Sequence, residues 1–349
     1  HNCFDKDTVC ALNRFAEQYD AAVFYDHTSN YHGKNAVLAA IAGEVACLKN
    51  KPDIVIDIGG VTGAYSAPDV LTGAKEFWRV SEDGGFHCRY GKTDIRHFMM
   101  SEYCFFKTMG ERPVEYRPES GYYSQVYSEL RKVIIPELPL SNVFVCRELS
   151  SRLPAGSVLS LGIMNSLRSM NYFPLEPSID TVANVGGFGI DGTVSTIIGQ
   201  SMAEPERLFF SVLGDLAFFY DMNALGIRHI RSNLRLLVVN NGCGVEMTLN
   251  DVINRQIGSD GQDVSAAYGH FGSAKAWAED MGFHYLYARS KEEFLTKVDN
   301  FCSGSLSHFD GPVLFEVFVA DEDDRKAVSL MRTANQSAYT EKSENNINT

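Results

Sequence analysis

The chain has 349 residues, 45% of them hydrophobic and 21% charged, with 44 acids against 31 bases and a net charge of −13. That length exceeds one ordinary core and calls for two domains, and the composition is that of a globular protein. The acidic balance sets a repulsive average field against a phosphate backbone, so nucleic acid is not expected as a partner.

The chain opens on His1-Asn2-Cys3-Phe4 and is read as a processed, trimmed or engineered piece. Apolar runs at Ala21 to Tyr25, Ile54 to Ile58 and Phe77 to Val80 read as short buried strands, and Lys34 to Leu48 between them as a helical stretch. Strands alternating with helices imply a parallel sheet covered on both faces, so residues 1–117 are expected to form a small α/β domain. Gly110 to Tyr122, with Pro113, Pro118 and Gly121, reads as a linker. A helix near Ser124 to Val133, a Pro136 to Pro139 break and a helix capped by Ser141 follow. The alternation then restarts. Five strands are expected at Ser157 to Leu161, Thr181 to Asn184, Leu208 to Leu213, Leu234 to Val239 and Val313 to Val319. Helices at about 189–203, 217–230, 272–281 and 291–300 fill the gaps. The acidic run Asp321-Glu322-Asp323-Asp324 reads as a solvated loop after a strand, and the polar residues Glu341 to Thr349 as a frayed end. The fold class expected is α/β, with two doubly wound domains of mainly parallel strands, 1–117 and 118–337, and a polar tail 338–349. The binding crevice of the second domain should lie beyond the carboxyl ends of its strands.

The eight cysteines are scattered without a Cys-x-x-Cys spacing, which argues against a zinc site or a disulfide framework. With no charged-then-apolar leader and no long apolar run, a membrane partner is not expected and a reducing cytoplasm fits best.

Two glycine patterns carry chemistry. Gly187-Phe188-Gly189-Ile190-Asp191-Gly192 fits G-x-G-x-x-G between a strand and a helix, the context of a dinucleotide fingerprint. Downstream, the strand ending in Gly214-Asp215 is followed by one ending in Asn240-Asn241-Gly242-Cys243-Gly244, with Asn241 26 positions after Asp215. One helical crossover between parallel strands brings both ends to the same sheet edge, so carboxylate and carboxamide can converge. Such hard oxygens suit Mg²⁺, whose shell is completed by phosphate oxygens and water. The glycine turn at 186–192 would offer backbone N–H groups to the same diphosphate. A Rossmann site uses no metal and wants its acid about 20 residues after the glycines.

Duller roles stand beside these. Asp215 could cap a helix, and Asn240-Asn241-Gly242 could be a turn after a strand. Cys243 lacks the histidine pattern of an activated nucleophile, His270 reads as a surface histidine, and His27 with His32 as turn chemistry rather than a metal pair.

These residues resemble the thiamine diphosphate (ThDP)-dependent enzyme superfamily, whose signature is Gly-Asp, some two dozen residues, then Asn-Asn. Within it the chain is similar to the family of menaquinone-pathway 2-succinyl-5-enolpyruvyl-6-hydroxy-3-cyclohexene-1-carboxylate synthases. The likeness is carried by Asn165-Ser166-Leu167, Gly189 to Gly192, Gly214-Asp215-Leu216, Tyr220 to Leu225 and Val238 to Asn241. It implies that the first domain is the cofactor-free central domain and the second the diphosphate-binding domain. It further implies Mg²⁺ on Asp215, the Asn241 side chain and the Cys243 backbone carbonyl. Ile190 would bend the cofactor, Gly189 would lie beside its aminopyrimidine, and Gly214, Leu216 and Ala217 would follow the diphosphate. Asp191 and Val245 complete the cofactor-binding set, with Ser166, Glu246 and Met247 toward the substrate.

The implied activity is that of a C–C lyase or transferase: decarboxylation of a 2-oxo acid and ligation of the remaining acyl carbon to an acceptor. Relatives place arginines for substrate carboxylates at the positions of Met170 and Val185, which implies a different acceptor here. The pyrimidine-binding domain of such enzymes, with its catalytic glutamate, has no counterpart in these 349 residues. A missing segment or another chain is expected to supply it, within a homodimer or tetramer, and the chain alone is expected to be inactive. Two alternatives remain: a nicotinamide-dependent Rossmann oxidoreductase, and a non-catalytic module that keeps the fold.

Overall fold

The computed structural model describes residues 4–45, 48, 50–59, 71–84, 95–113, 121–185, 189–249 and 269–345, with side chains up to Asn335 apart from that of position 248. The chain divides into two compact units, His1–Pro136 with Met331–Thr349, and Glu137–Leu330.

In the first unit, α1 (Lys6–Tyr19) starts at Asp5, whose Oδ1 accepts the Thr8 amide at 2.7 Å, and stops at Asp20 in the left-handed region with φ 46°. Strands β1 (Val23–Tyr25) and β2 (Ala36–Leu38) form a parallel pair. A second parallel sheet runs β3 (Ile54–Asp57), β4 (Glu76–Val80), β5 (Arg96–Phe98). Helices α2 (Glu102–Gly110) and α3 (Tyr122–Leu130) follow. Phe15, Phe105, Phe106, Val80 and Trp78 form the main apolar cluster. The expected helix over Lys34 to Leu48 is not formed: β1 captures Ala36–Leu38 as a strand partner, and only Ile41–Val45 takes a wide helical turn. Backbone pairing with a neighbour outweighs the helical reading of an alanine-rich apolar run.

The second unit contains α4 (Asn142–Ser150), β6 (Val158–Leu161), α5 (Asn165–Met170), β7 (Asp180–Ala183), α6 (Thr193–Ala203), β8 (Phe209–Gly214), α7 (Asp215–Asp221) and β9 (Leu234–Asn240). It continues with α8 (Glu246–Leu249), α9 (Lys275–Asp280), β10 (His284–Ala288), α10 (Lys291–Phe301), β11 (Val313–Phe318) and α11 (Asp321–Asn345), the last extending into the first unit. Ser141 caps α4 as expected, accepting the Phe144 amide at 3.1 Å. The six strands form one wholly parallel sheet in the order β10-β11-β9-β8-β6-β7. All seven residues of β9 are buried, as are the first five of β8, so both read as continuous apolar runs.

Leaving β6, the chain turns first to β7 on one side and then to β8 on the other, so the topological switch falls between β6 and β8. Ligand crevices open at such points, beyond the strands' carboxyl ends. A Cβ on Gly162 would lie 3.0 Å from Leu213 Cα, so only glycine lets these two strand ends approach so closely.

Three expectations are corrected here. The helix expected over 217–230 ends at Asp221 and gives way to a tight 3-10 turn, Met222–Gly226, whose Met222 carbonyl accepts the Trp277 indole N–H at 2.8 Å. The acidic run at 321–324 is the first turn of α11, where four carboxylates complement the positive end of the helix dipole. The frayed end expected from Glu341 is helical through Asn345. Edge strand β10 was not anticipated. Among the described residues, no helix is long and apolar enough to cross a membrane.

Candidate functional site

Asp215 is the hinge of the site. It directly follows β8 and is only 2% exposed. Its Oδ1 accepts the Leu216 amide at 2.7 Å; Oδ2 accepts the Gly242 amide at 2.7 Å and faces His270 Nε2 at 3.0 Å. Burial raises its carboxyl pKa, while the Gly242 and Leu216 amides and His270 pull the other way. The two strand ends lie side by side, and the bond between them runs from the Gly242 amide in the loop after β9 to Asp215 at the end of β8.

That loop, Asn241-Gly242-Cys243, turns through Gly242 at φ 77°, where an added Cβ would also meet the His270 carbonyl at 3.1 Å. Asn241 Oδ1 accepts the Cys243 amide at 3.3 Å, and its Nδ2 donates to Asp324 Oδ2 at 3.0 Å. Cys243 is buried and its thiol is pushed up to about 12, chiefly by burial, so it is no nucleophile at neutral pH. What Cys243 can offer a cation is its backbone carbonyl. Among the described residues no group of three or more His, Cys, Asp or Glu could hold a metal. The donors assembled here are of another kind, one carboxylate, one carboxamide and loop carbonyls, all hard oxygens of the sort Mg²⁺ takes. A Cβ on Gly214 would meet nothing within 4 Å among the described residues, which leave open space against the strand end beside Asp215. These residues fit a hard cation carrying an anionic group.

Asp324 was missed by the sequence reading. It is 1% exposed; Oδ1 accepts the Asn142 amide at 2.6 Å, and Oδ2 accepts Asn142 Nδ2 and Asn241 Nδ2 at 3.0 Å each, with Asn165 Nδ2 at 3.5 Å. Burial raises its carboxyl pKa against the pull of those donors. The signal for it in the sequence is faint: one acid at the fourth place of a run that is otherwise a helix N-terminus. His270 is likewise half-buried on Asp215, with Phe219 edge-on to its ring, and is not the surface residue expected. A second carboxylate, fully buried Glu316 on β11, accepts Asn240 Nδ2 at 2.8 Å, Ser273 Oγ and Tyr285 OH at 2.6 Å, and the Ala274 amide at 3.0 Å. It thereby ties the segment after His270 to the end of β9.

In the glycine turn, Gly187 lies outside the described residues, as do the neighbouring positions 186 and 188. Asn184 Nδ2 donates to the Asp191 carbonyl at 3.2 Å, and Gly192 enters α6 at φ 74°. Asp191 is exposed, and Ile190 packs against the apolar cluster beneath α6. Asp221 Oδ2 accepts the Ser195 amide at 2.7 Å and its hydroxyl at 2.9 Å, so part of the α6 amino terminus is already capped from within. This gives Tyr220 to Leu225 a structural part: Asp221 caps α6, Met222 receives Trp277, and Leu225 is core.

Ser166 is buried on α5, which is entered through Met164 at φ 70°, a conformation costly for a residue with a side chain. Arg168, two residues along, forms an ion pair with Glu246 of α8. Because β8 lies between β6 and β9, this pair bridges the loops flanking Asp215. Val245 and Ala217 are buried and Leu216 half-buried. Met170 and Val185 are 0% and 7% exposed, apolar and packed. His27 and His32 belong to a 3-10 turn, His27–Ser29, and its exit. Tyr268 lies outside the described residues.

No protein-family model matches the chain. Curated relatives do. A 2-succinyl-5-enolpyruvyl-6-hydroxy-3-cyclohexene-1-carboxylate synthase of Bacteroides fragilis is 32% identical over 295 residues, 84% of this chain and 51% of the relative. The enzyme of that name from Bacteroides thetaiotaomicron is 31% identical over 281 residues, 79% of this chain and 48% of the relative, and that from Phocaeicola vulgatus 29% over 287, 78% and 48%. The chain thus spans about half the length of the curated relatives it matches. These similarities make the chain a homologue of the 2-succinyl-5-enolpyruvyl-6-hydroxy-3-cyclohexene-1-carboxylate synthases over about half of their length.

Proposed function

We propose that the second unit is the diphosphate-binding part of a ThDP- and Mg²⁺-dependent enzyme that decarboxylates a 2-oxo acid and ligates the product to an acceptor. The first unit serves as its cofactor-free central domain. The observation that carries the reading is the 2.7 Å bond from the Gly242 amide to Asp215 Oδ2, which sets a buried carboxylate against the Asn241-Gly242-Cys243 loop.

On this reading Asp215, Asn241 Oδ1 and the Cys243 carbonyl hold Mg²⁺, and Gly214, Leu216 and Ala217 line the open strand end where the diphosphate lies. Gly189, Ile190 and Asp191 set the cofactor's orientation, with Val245 behind it. ThDP, when bound, supplies the electron sink for decarboxylation. The chain's own part is to fix the anion, exclude water and orient substrate beside Ser166 and Glu246. The buried apolar side chains of Met170 and Val185 support an acceptor that lacks the carboxylates met by arginines in relatives. The other half of the site, with the glutamate that works on the pyrimidine ring, comes from a further segment or a partner chain.

The nicotinamide reading is disfavoured because Asp215 lies 26 positions after Gly189 and meets the β9 loop, whereas a ribose-binding acid follows its glycines by about 20. The deciding experiment is calorimetric titration of ThDP into the complete protein, with Mg²⁺ and again with EDTA, alongside Asp215→Ala. Saturable binding that needs both Mg²⁺ and Asp215 supports the proposal; NAD⁺ binding indifferent to both would replace it with the oxidoreductase.

A further inference from the structure

A carboxamide offers a cation the right atom at only one of its two ends. Rotation by half a turn exchanges Oδ1 for Nδ2, and the two orientations of an asparagine differ little in shape. Asn241 can ligate a metal only if something chooses the orientation. The choice has to be made by a partner on the far side of the amide that accepts and never donates.

Asp324 is such a partner. Its buried carboxylate receives amide nitrogens from three separate places: Asn142 at the start of α4, Asn165 at the start of α5, and Asn241 after β9. Asn142 shows how strong the demand is, since its Oδ1 is buried without a hydrogen-bond partner among the described residues while both its Nδ2 and its backbone amide serve Asp324. Leaving a buried carbonyl oxygen unmatched is costly, so the nitrogen-first orientation is imposed by the carboxylate and not chosen by the amide's other surroundings. The same carboxylate takes Asn241 by its nitrogen at 3.0 Å and leaves Oδ1 on the side of the Cys243 amide, within the loop that meets Asp215.

We propose that Asp324 is a positioning residue for the cation, fixing Asn241 so that its oxygen faces the metal; this rests on the Mg²⁺ reading of the preceding section. Asp324 sits 83 positions from Asn241 and touches no reacting atom. Outer partners of this kind set ligand orientation, and their loss lowers metal affinity without removing a ligand.

The test is a titration of Mg²⁺ into the complete protein at saturating ThDP, read by calorimetry, for wild type, Asp324→Asn and Asn142→Ala, with Tm measured beside each. The isosteric Asp324→Asn keeps the shape but presents both a donor and an acceptor, so it no longer selects one amide orientation. A loss of roughly 10- to 100-fold in Mg²⁺ affinity is expected. Asn142→Ala removes a donor from the same carboxylate without touching the Asn241 contact, and should lower Tm while leaving Mg²⁺ affinity unchanged. Unchanged affinity in a folded Asp324→Asn would overturn the proposal and leave Asp324 a structural tie. Should that variant fail to fold, nitrogen-15 NMR of the wild-type Asn241 side-chain amide decides. Slow exchange that persists when Mg²⁺ is added supports the proposal, and rapid exchange overturns it. Absence of any Mg²⁺-dependent binding in the wild type would sink the functional reading itself, and this inference with it.

Discussion

His270 Nε2 stands 3.0 Å from Asp215 Oδ2, against the same oxygen that accepts the Gly242 amide. An incoming cation therefore competes with an imidazole for that carboxylate. His270→Ala removes the competitor and is expected to tighten Mg²⁺ binding by about 1 kcal/mol, roughly fivefold, the net worth of one such hydrogen bond. Calorimetry on the two proteins checks it, and weaker binding in the variant would mean that His270 shapes the site instead of blocking it.

Gly242 has a sharper requirement. Its φ of 77° and the 3.1 Å from an added Cβ to the His270 carbonyl leave little room for a side chain. Gly242→Ala should cost about 1–2 kcal/mol of stability from the left-handed backbone alone. Mg²⁺ affinity should fall as well, because the shifted amide loses its bond to Asp215. Thermal unfolding and metal titration together test this; an unchanged Tm would show that the loop relaxes freely.

The ion pair of Arg168 and Glu246 is largely buried, with side-chain exposures of 15% and 9%. Removing one partner leaves the other's largely buried charge without its ion pair, so Arg168→Met and Glu246→Met are each expected to destabilise the fold by up to about 3–5 kcal/mol. The double variant should recover much of that loss. Denaturant unfolding across the cycle measures the coupling, and additive losses would show that the two side chains act separately.

The strand ends at Asp215 and Asn241 were legible because a buried parallel strand is written as an unbroken apolar run, here stopped by Gly-Asp and Asn-Asn-Gly. Strand β10 hides its nature: as an edge strand it is written His-Tyr-Leu-Tyr-Ala, with only Ala288 fully buried. Strand β2 was lost because Ala36-Val37-Leu38 begins an alanine-rich run that suits a helix equally, and its partner β1 lies in another segment. Asp324 and His270 were missed for a common reason. Their partners lie 83 and 55 positions away, and an acid or a histidine looks solvated until the chain folds over it. Periodicity reports which face of an element is covered, and says little about which distant side chain covers it.

The cysteines offer a check on burial across the chain. Burial pushes the thiols of Cys243 and Cys302 up to about 12, and Cys146 is fully enclosed, whereas Cys10 and Cys104 are exposed. Only the thiolate reacts, so at pH 8 a thiol of pKa about 12 presents roughly one reactive form in ten thousand. Brief alkylation of the native protein followed by peptide mass spectrometry should label Cys10 and Cys104 well before the three buried residues. Early labelling of Cys243 would place its loop in solvent.

The order in which the second unit is built bears on when its site can exist. Strand β11 is the last to leave the chain yet lies between β9 and β10. Until it is inserted, β10 has no hydrogen-bonded neighbour, and the Asp324 carboxylate that follows β11 cannot reach Asn142, 182 positions earlier. Contacts of such long sequence separation close late in folding. The hold of Asp324 on Asn241 is thus formed only once the sheet has been completed, and a nascent chain halted before Val313 carries the three proposed ligands without the residue that aims one of them.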